Sequence, residues 1–119
     1  MENKVVWITG ASSGLGKALA AEFALQGAQV ILSARRLDEL ENVRMTILNP
    51  EKHISVPMDI TDESQVLHAY EQVLRQKGRI DLLVNNAGLS QRALIAETTM
   101  LTERAIMEVD YFSQVFLTK

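Results

Sequence analysis

The chain has 119 residues, 47% hydrophobic and 23% charged, which is the composition of one small globular domain spanning 1–119. Its formal net charge of −3 argues against a nucleic-acid partner, because nucleic-acid-binding domains are usually basic. The absence of cysteine excludes disulfides and thiolate metal sites. We expect no metal site, since His53 and His68 are isolated and each is expected to be a solvated or capping histidine. We also expect no membrane partner and a cytoplasmic location, because no apolar stretch approaches the roughly 20 residues that span a bilayer.

Short apolar runs alternate with amphipathic stretches along the chain. Buried strands are predicted at 5–8, 29–33, 54–56 and 80–84, and helices at 15–26 and 37–47. A third helix is predicted between a cap at Thr61 or Asp62 and a stop at Gly78. An irregular segment follows at 88–97, and a fourth helix is predicted from Thr98 or Thr99 to Phe116.

This alternation predicts an α/β fold with a parallel, doubly wound sheet of about four strands in the order 3-2-1-4 and four helices. The helical pattern of the last segment still continues at Lys119. We therefore expect the chain to be a fragment of a longer protein.

The segment from Thr9 to Gly16 joins the first strand to the first helix and reads T-G-x-x-x-G-x-G. A strand, a glycine-rich turn and a helix start form a cradle for phosphate, because the helix N-terminus presents free N–H groups. Gly10 permits a sharp turn, Gly14 permits close approach of a diphosphate, and Gly16 permits close packing of helix on strand. The spacing differs from both G-x-G-x-x-G and the nucleotide-triphosphatase loop. A tight glycine turn without a ligand is the alternative interpretation.

Three further motifs follow the later strands: Ala34-Arg35-Arg36, Asp59-Ile60-Thr61 and Asn85-Asn86-Ala87-Gly88. With the glycine turn, they stand in the order found in the short-chain dehydrogenase/reductase family, which the chain resembles over its whole length. The resemblance implies a Rossmann-like fold and a nicotinamide dinucleotide cofactor, with the chain forming the N-terminal cofactor-binding half of such an enzyme.

The second strand ends where the fold places the adenosine ribose. Ala34 occupies the position where family members that use NAD tend to carry Asp. The resemblance therefore implies NADP(H) rather than NAD, with Arg35 as the main ligand of the 2′-phosphate and Arg36 as a helper. Ser12 and Ser13 would donate hydroxyl hydrogen bonds to the same phosphate. The alternative is that both arginines are solvated charges before a helix.

The remaining family motifs imply contacts along the rest of the cofactor. Asp59 would bind the adenine amino group and Ile60 would line its pocket, although a turn or capping aspartate is the alternative. The segment 86–88 would pass beside the cofactor ribose. The expected cofactor-binding residues are thus Gly10, Ser12, Ser13, Gly14, Leu15, Gly16, Arg35, Arg36, Asp59, Ile60, Asn86, Ala87 and Gly88.

The family's catalytic groups, an upstream Ser and Tyr-x-x-x-Lys, are not matched here. Leu74 and Val115 stand four residues after the two tyrosines, and Asp110 stands where the family commonly has a relay Asn. An aspartate lacks the amide donor, so a structural role for Asp110 is equally compatible. We expect no catalytic residue in this chain and no hydride transfer by it alone. The complete protein would transfer hydride between NADPH and a carbonyl or secondary alcohol, and the alternatives are a non-catalytic nucleotide-binding module or a self-associating half-domain.

Self-association is also expected from the sequence. The fourth strand should present an open sheet edge, and the last helix should present an apolar side that includes Phe112 and Phe116. We therefore predict a homodimer or larger species, through residues 99–119 or through the edge of the fourth strand.

Overall fold

The computed structural model describes residues 2–12, 14–86 and 114–117. The strands are β1 (Val5–Thr9), β2 (Gln29–Ser33), β3 (Ile54–Ser55), β4 (Leu82–Asn85) and β5 (Gln114–Leu117). The α-helices are α1 (Gly14–Leu25), α2 (Leu37–Thr46) and α3 (Glu63–Lys77), and a 3₁₀ turn covers Pro50–Lys52.

The strands form one sheet in the order β3-β2-β1-β4-β5. The first four strands are parallel, with Trp7 of β1 in register with Ile31 of β2 and Leu83 of β4. The predicted strand order 3-2-1-4 is therefore confirmed. The carboxyl ends of parallel strands all lie along one side of the sheet. This side, the carboxyl edge, runs across the strands and is where ligands bind in doubly wound folds.

The two faces of the sheet carry separate hydrophobic clusters. One face packs against α3 and includes Trp7, whose ring stacks on that of Tyr70 at a centroid distance of 6.4 Å. The other face packs against α1 and α2 through residues such as Ala20 and Leu40, both fully buried. Burial on both faces explains why β1 and β2 are continuous apolar runs rather than alternating patterns.

The ends of α3 follow the sequence signals. The Asp62 carboxylate accepts hydrogen bonds from the backbone N–H groups of Ser64 and Gln65, which selects Asp62 rather than Thr61 as the cap. Gly78 ends the helix with a φ of 82°, in the left-handed region that favours glycine.

The end of the chain corrects one prediction. Residues 114–117 form β5, which pairs antiparallel with β4, so the predicted helix is wrong for residues 114–116 and the rest of it lies outside the described residues. The predicted open edge of the fourth strand is also wrong, because β5 covers it. An unpaired edge offers a row of backbone donors and acceptors, and pairing with a β-prone Val-Phe segment satisfies them. The β4 edge is thus not the exposed dimer surface that the sequence suggested.

His53 also differs from expectation, because its side chain is only 3% exposed. The backbone N–H of Val30 donates to His53 Nδ1 at 2.9 Å, which requires the neutral ring with its proton on Nε2. Nε2 then donates to the Leu48 carbonyl at 2.7 Å. The ring thus extends the short β2–β3 ladder by one hydrogen bond, a role that sequence periodicity does not reveal.

Stability should therefore depend on pH through His53. Burial lowers the pKa of His53 below its ordinary value of 6.5, and the nearby charges of Lys52 and Lys77 act in the same direction. The folded ring stays neutral while the unfolded histidine gains a proton near pH 6.5. The free energy of unfolding should thus be level in pH above about 6.5 and fall as the pH is lowered from there toward the folded pKa.

The loss expected by pH 5 is about 1–2 kcal/mol, because each pH unit over which the unfolded histidine is protonated and the folded ring is neutral costs about 1.4 kcal/mol. Urea unfolding followed by the fluorescence of the buried Trp7 measures it at several pH values. The His53→Gln variant keeps an acceptor but does not titrate, and His68→Gln, at an exposed position, is the control. Equal pH slopes in the wild type and His53→Gln would contradict the assignment.

Candidate functional site

Polar side chains end the otherwise apolar strands at the carboxyl edge of the sheet. Thr9, at the end of β1, is 1% exposed, and its hydroxyl donates to Asn85 Oδ1 at 3.0 Å. The backbone N–H of Asn86 donates to the Thr9 hydroxyl at 3.1 Å. These hydrogen bonds therefore anchor the end of β1 to the last residue of β4 and to the loop that follows it.

Ser33 anchors the end of β2 through hydrogen bonds of its side-chain hydroxyl. Its buried hydroxyl accepts from Trp7 Nε1 at 2.8 Å and donates to the Val56 carbonyl at 2.7 Å. The Ser33 carbonyl accepts from the Ala11 N–H at 3.1 Å, so the glycine turn is held against β2. Sequence reasoning did not assign positioning roles to Thr9 and Ser33, although a polar residue ending an apolar strand is the signal for them.

The glycine turn has the backbone geometry that its sequence predicts. Gly10 has a φ of 63° and Gly14 a φ of 58°, both in the left-handed region. An added Cβ at Gly10 would lie 3.3 Å from Asn86 Nδ2, whereas one at Gly14 would meet no heavy atom of the described residues within 4 Å, its chain neighbours aside. Gly10 thus faces the β4 loop, and Gly14 faces open space at the start of α1.

Gly16 is required for close packing. An added Cβ there would overlap the Gly10 carbonyl oxygen and lie 2.8 Å from Asn86 Nδ2. Asn86 Nδ2 itself donates to the Gly10 carbonyl at 3.3 Å. Gly10, Gly16 and Asn86 therefore form one junction between the turn, α1 and the loop after β4.

The start of α1 is suited to an anion. Its first turn contains no acidic side chain, so the positive end of the helix dipole is not neutralised from within the helix. Leu15, also predicted to contact the cofactor, is 43% exposed in this turn.

A cavity of about 300 Å³ lies beside the turn. Its lining comes from β1, β2 and the loop after β3: Thr9, Gly10, Ser33, Ala34, Arg35, Met58, Asp59, Ile60 and Thr61. The Met58 N–H donates to the Ala34 carbonyl at 2.9 Å, which holds the loop after β3 beside the end of β2. The structure thus brings the predicted residues Gly10, Arg35, Asp59 and Ile60 to one cavity.

Asp59 adopts the turn role that the sequence offered for it. Its Oδ1 accepts from the Thr61 hydroxyl at 2.7 Å and the Thr61 N–H at 3.0 Å, which makes it a turn aspartate. These hydrogen bonds lower the pKa of Asp59, with a smaller contribution from the charge of Arg35, so the side chain is a carboxylate at neutral pH. Its Oδ2 has no hydrogen bond within the described part of the chain and can accept one from a ligand.

A second cavity, of about 520 Å³, is also bordered by Arg35. It is lined by Ser12, Ala34, Arg35, Arg36 and Glu39, so Ala34 and Arg35 border both cavities. Both arginines are exposed, and Arg36 Nη1 lies 3.7 Å from Glu39 Oε2. The predicted pair of arginines and Ser12 therefore share one basic cavity.

Other predicted residues do not enter this site. Ser13, Ala87, Gly88 and Asp110 lie outside the described residues. Tyr70 is 7% exposed in the core against Trp7, away from the carboxyl edge. Within the described ranges, no cluster of His, Asp and Glu has the arrangement of a metal site, and no helix is long and apolar enough to cross a membrane.

The sequence of the chain matches the family model described as short chain dehydrogenase over residues 4–119. The chain belongs to the short-chain dehydrogenase family. The chain is 44% identical to the human dehydrogenase/reductase SDR family member 7, over the whole chain and 37% of that protein. It therefore spans little more than a third of that curated relative's length.

Solved structures of short-chain dehydrogenases share the fold. A metagenomic short-chain oxidoreductase in complex with NADP matches with a TM-score of 0.75 and 26% identity, over 87% of this chain and 60% of that one. The 3-ketoacyl-(acyl-carrier-protein) reductase of Brucella melitensis, complexed with NADH, matches with a TM-score of 0.64 and 38% identity, over 69% of this chain and 33% of that one. NADP and NADH thus both occur in structures that are similar to this chain.

Proposed function

We propose that the chain binds NADP(H) as the cofactor-binding portion of an oxidoreductase acting on a carbonyl or secondary alcohol. The observation that carries the proposal is the position of Arg35 between two adjoining cavities, one bordered by Asp59 and Ile60 and the other by Ser12 and Arg36. A 2′-phosphate is a dianion that a guanidinium binds well. Residue 34, at the border of both cavities, is alanine and offers no carboxylate to a free ribose hydroxyl pair.

Each part of the adenosine diphosphate half of the dinucleotide has a suitable partner among the described residues in this proposal. The glycine turn and the uncompensated start of α1 favour the diphosphate, with Gly14 open toward it. Asp59 Oδ2 is an acceptor suited to the adenine amino group, and Ile60 supplies an apolar wall. Arg35, with Arg36 and Ser12, would hold the 2′-phosphate. Bound NADPH would supply the hydride in the complete enzyme.

The proton that accompanies hydride transfer would come from a group outside the described residues. Among the described residues Tyr70 is the only tyrosine, and its burial against Trp7 removes it from the site. The chain's role in the proposal is therefore to bind and orient the cofactor. A homodimer through residues 99–119 and a cytoplasmic location stay predictions from the sequence.

Calorimetric titration of the chain with NADP⁺ and with NAD⁺ tests the proposal. We expect NADP⁺ to bind about 10- to 100-fold more tightly, which corresponds to about 1.5–3 kcal/mol for hydrogen bonds to a charged group. The difference should shrink as salt is raised, because the arginines are exposed. Equal affinities, or tighter binding of NAD⁺, would contradict the proposal.

A further inference from the structure

Glu39 introduces a negative charge into the basic cavity that the two arginines share. It lies in the first turn of α2, three residues after Arg36, and borders the same cavity as Ser12, Arg35 and Arg36. Glu39 lies outside the four sequence motifs that carry the family resemblance. Its carboxylate reduces the formal charge of the cavity lining from two positive charges to one.

The contact between Glu39 and Arg36 is weak. The 3.7 Å separation of Arg36 Nη1 and Glu39 Oε2 is beyond hydrogen-bond length, and the side chains are 73% and 47% exposed. Exposed ion pairs of this kind contribute little to stability. An incoming phosphate dianion, which can form two hydrogen bonds to one guanidinium, would therefore displace the carboxylate from Arg36.

We propose that Glu39 is a specificity-determining residue that competes with the 2′-phosphate for Arg36 and so limits the preference for NADP(H) over NAD(H). This inference rests on the proposed function, because it needs a 2′-phosphate in that cavity. Glu39 acts on only one end of the cofactor, since it borders the cavity of Arg36 and not the cavity of Asp59. Its charge therefore bears on NADP⁺ and leaves NAD⁺ almost unaffected.

The test measures dissociation constants of NADP⁺ and NAD⁺ for the wild type and Glu39→Gln by calorimetry at low ionic strength. Glu39→Gln should tighten NADP⁺ binding about two- to fivefold and change NAD⁺ binding by less than about 1.5-fold, the range expected for an exposed charge contact. The gain should disappear in an Arg36→Ala background and diminish at high salt. Asp38→Asn is the matched control, because Asp38 also lies in the first turn of α2 but does not border the cavity.

The titrations distinguish an error in the role of Glu39 from an error in the proposed NADP(H) binding. If the wild type prefers NADP⁺ and Glu39→Gln binds it no more tightly, the role of Glu39 is refuted and NADP(H) binding stands. The role of Glu39 is also refuted if Asp38→Asn tightens NADP⁺ binding equally, since removal of any negative charge from the positive end of the α2 dipole would then explain the gain. If the wild type shows no preference for NADP⁺, both proposals are wrong. Trp7 fluorescence during urea unfolding verifies that each variant is folded.

Discussion

Replacing Arg35 by alanine should weaken NADP⁺ binding about 10- to 100-fold and leave NAD⁺ binding nearly unchanged. Arg35 borders both cavities of the site, so its guanidinium is the one best placed to contact a 2′-phosphate. Loss of a hydrogen-bonded charge contact costs about 1.5–3 kcal/mol. Calorimetric titration of the variant with both dinucleotides measures the effect.

Two further variants sharpen this result. Arg35→Lys keeps the charge but loses the planar pair of donors, so it should recover only part of the preference. Arg75→Ala removes an exposed arginine from the last turn of α3, outside both cavities, and should leave both affinities unchanged. A uniform loss of NADP⁺ and NAD⁺ affinity in Arg35→Ala would mean that Arg35 supports the fold rather than the 2′-phosphate.

Replacing Gly16 by alanine should have the largest effect on the fold of the site. The added methyl group would overlap the Gly10 carbonyl oxygen, which the neighbouring backbone holds in place, so α1 must move away from the turn. Overpacking of this kind costs about 1–3 kcal/mol and sometimes more. We expect a matching loss in the free energy of unfolding together with loss of detectable dinucleotide binding.

Gly14→Ala is the matched comparison for Gly16→Ala. Position 14 has open space around it, so only its φ of 58° opposes a side chain. The expected cost is about 1–2 kcal/mol, the usual strain of an L-residue in the left-handed region. Urea unfolding followed by Trp7 fluorescence ranks the two variants. A Gly16→Ala variant that is as stable as Gly14→Ala and still binds NADP⁺ would show that the close packing at Gly16 is not required.

The parallel part of the fold was predictable because its signals are local and mutually consistent. Strand β2 was predicted with its observed bounds of Gln29 and Ser33, since a run buried on both faces is continuously apolar. Strand β5, which lies in the segment predicted as a fourth helix, was not predictable in this way. The apolar spacing near Phe116 fits a helix, whereas the segment 114–117 pairs with β4, and the need to satisfy a sheet edge is not visible in periodicity.

The candidate site was predictable only in part for a related reason. The motifs fix the backbone at the strand ends, and the structure gathers Gly10, Arg35 and Asp59 around one cavity. The position of Thr9 and Ser33 at the ends of apolar strands signals a positioning role, but their hydrogen-bond partners, and the cavity that Glu39 borders, depend on which loops the fold brings opposite them. His53 was missed because the folded sheet, and not its neighbours in sequence, supplies its hydrogen-bond donor.

The central claim is that the glycine turn, the end of β2 and the loop after β3 form one NADP(H) site in this chain. Backbone amide chemical shifts recorded by NMR during titration with NADP⁺ test it most directly. We expect the largest changes at Gly10, Ser12, Arg35 and Ile60, with saturation at one common dissociation constant, and little change at Gln72 on the outer part of α3. Changes confined to other parts of the chain, or no saturable change at the cavity residues, would contradict the account.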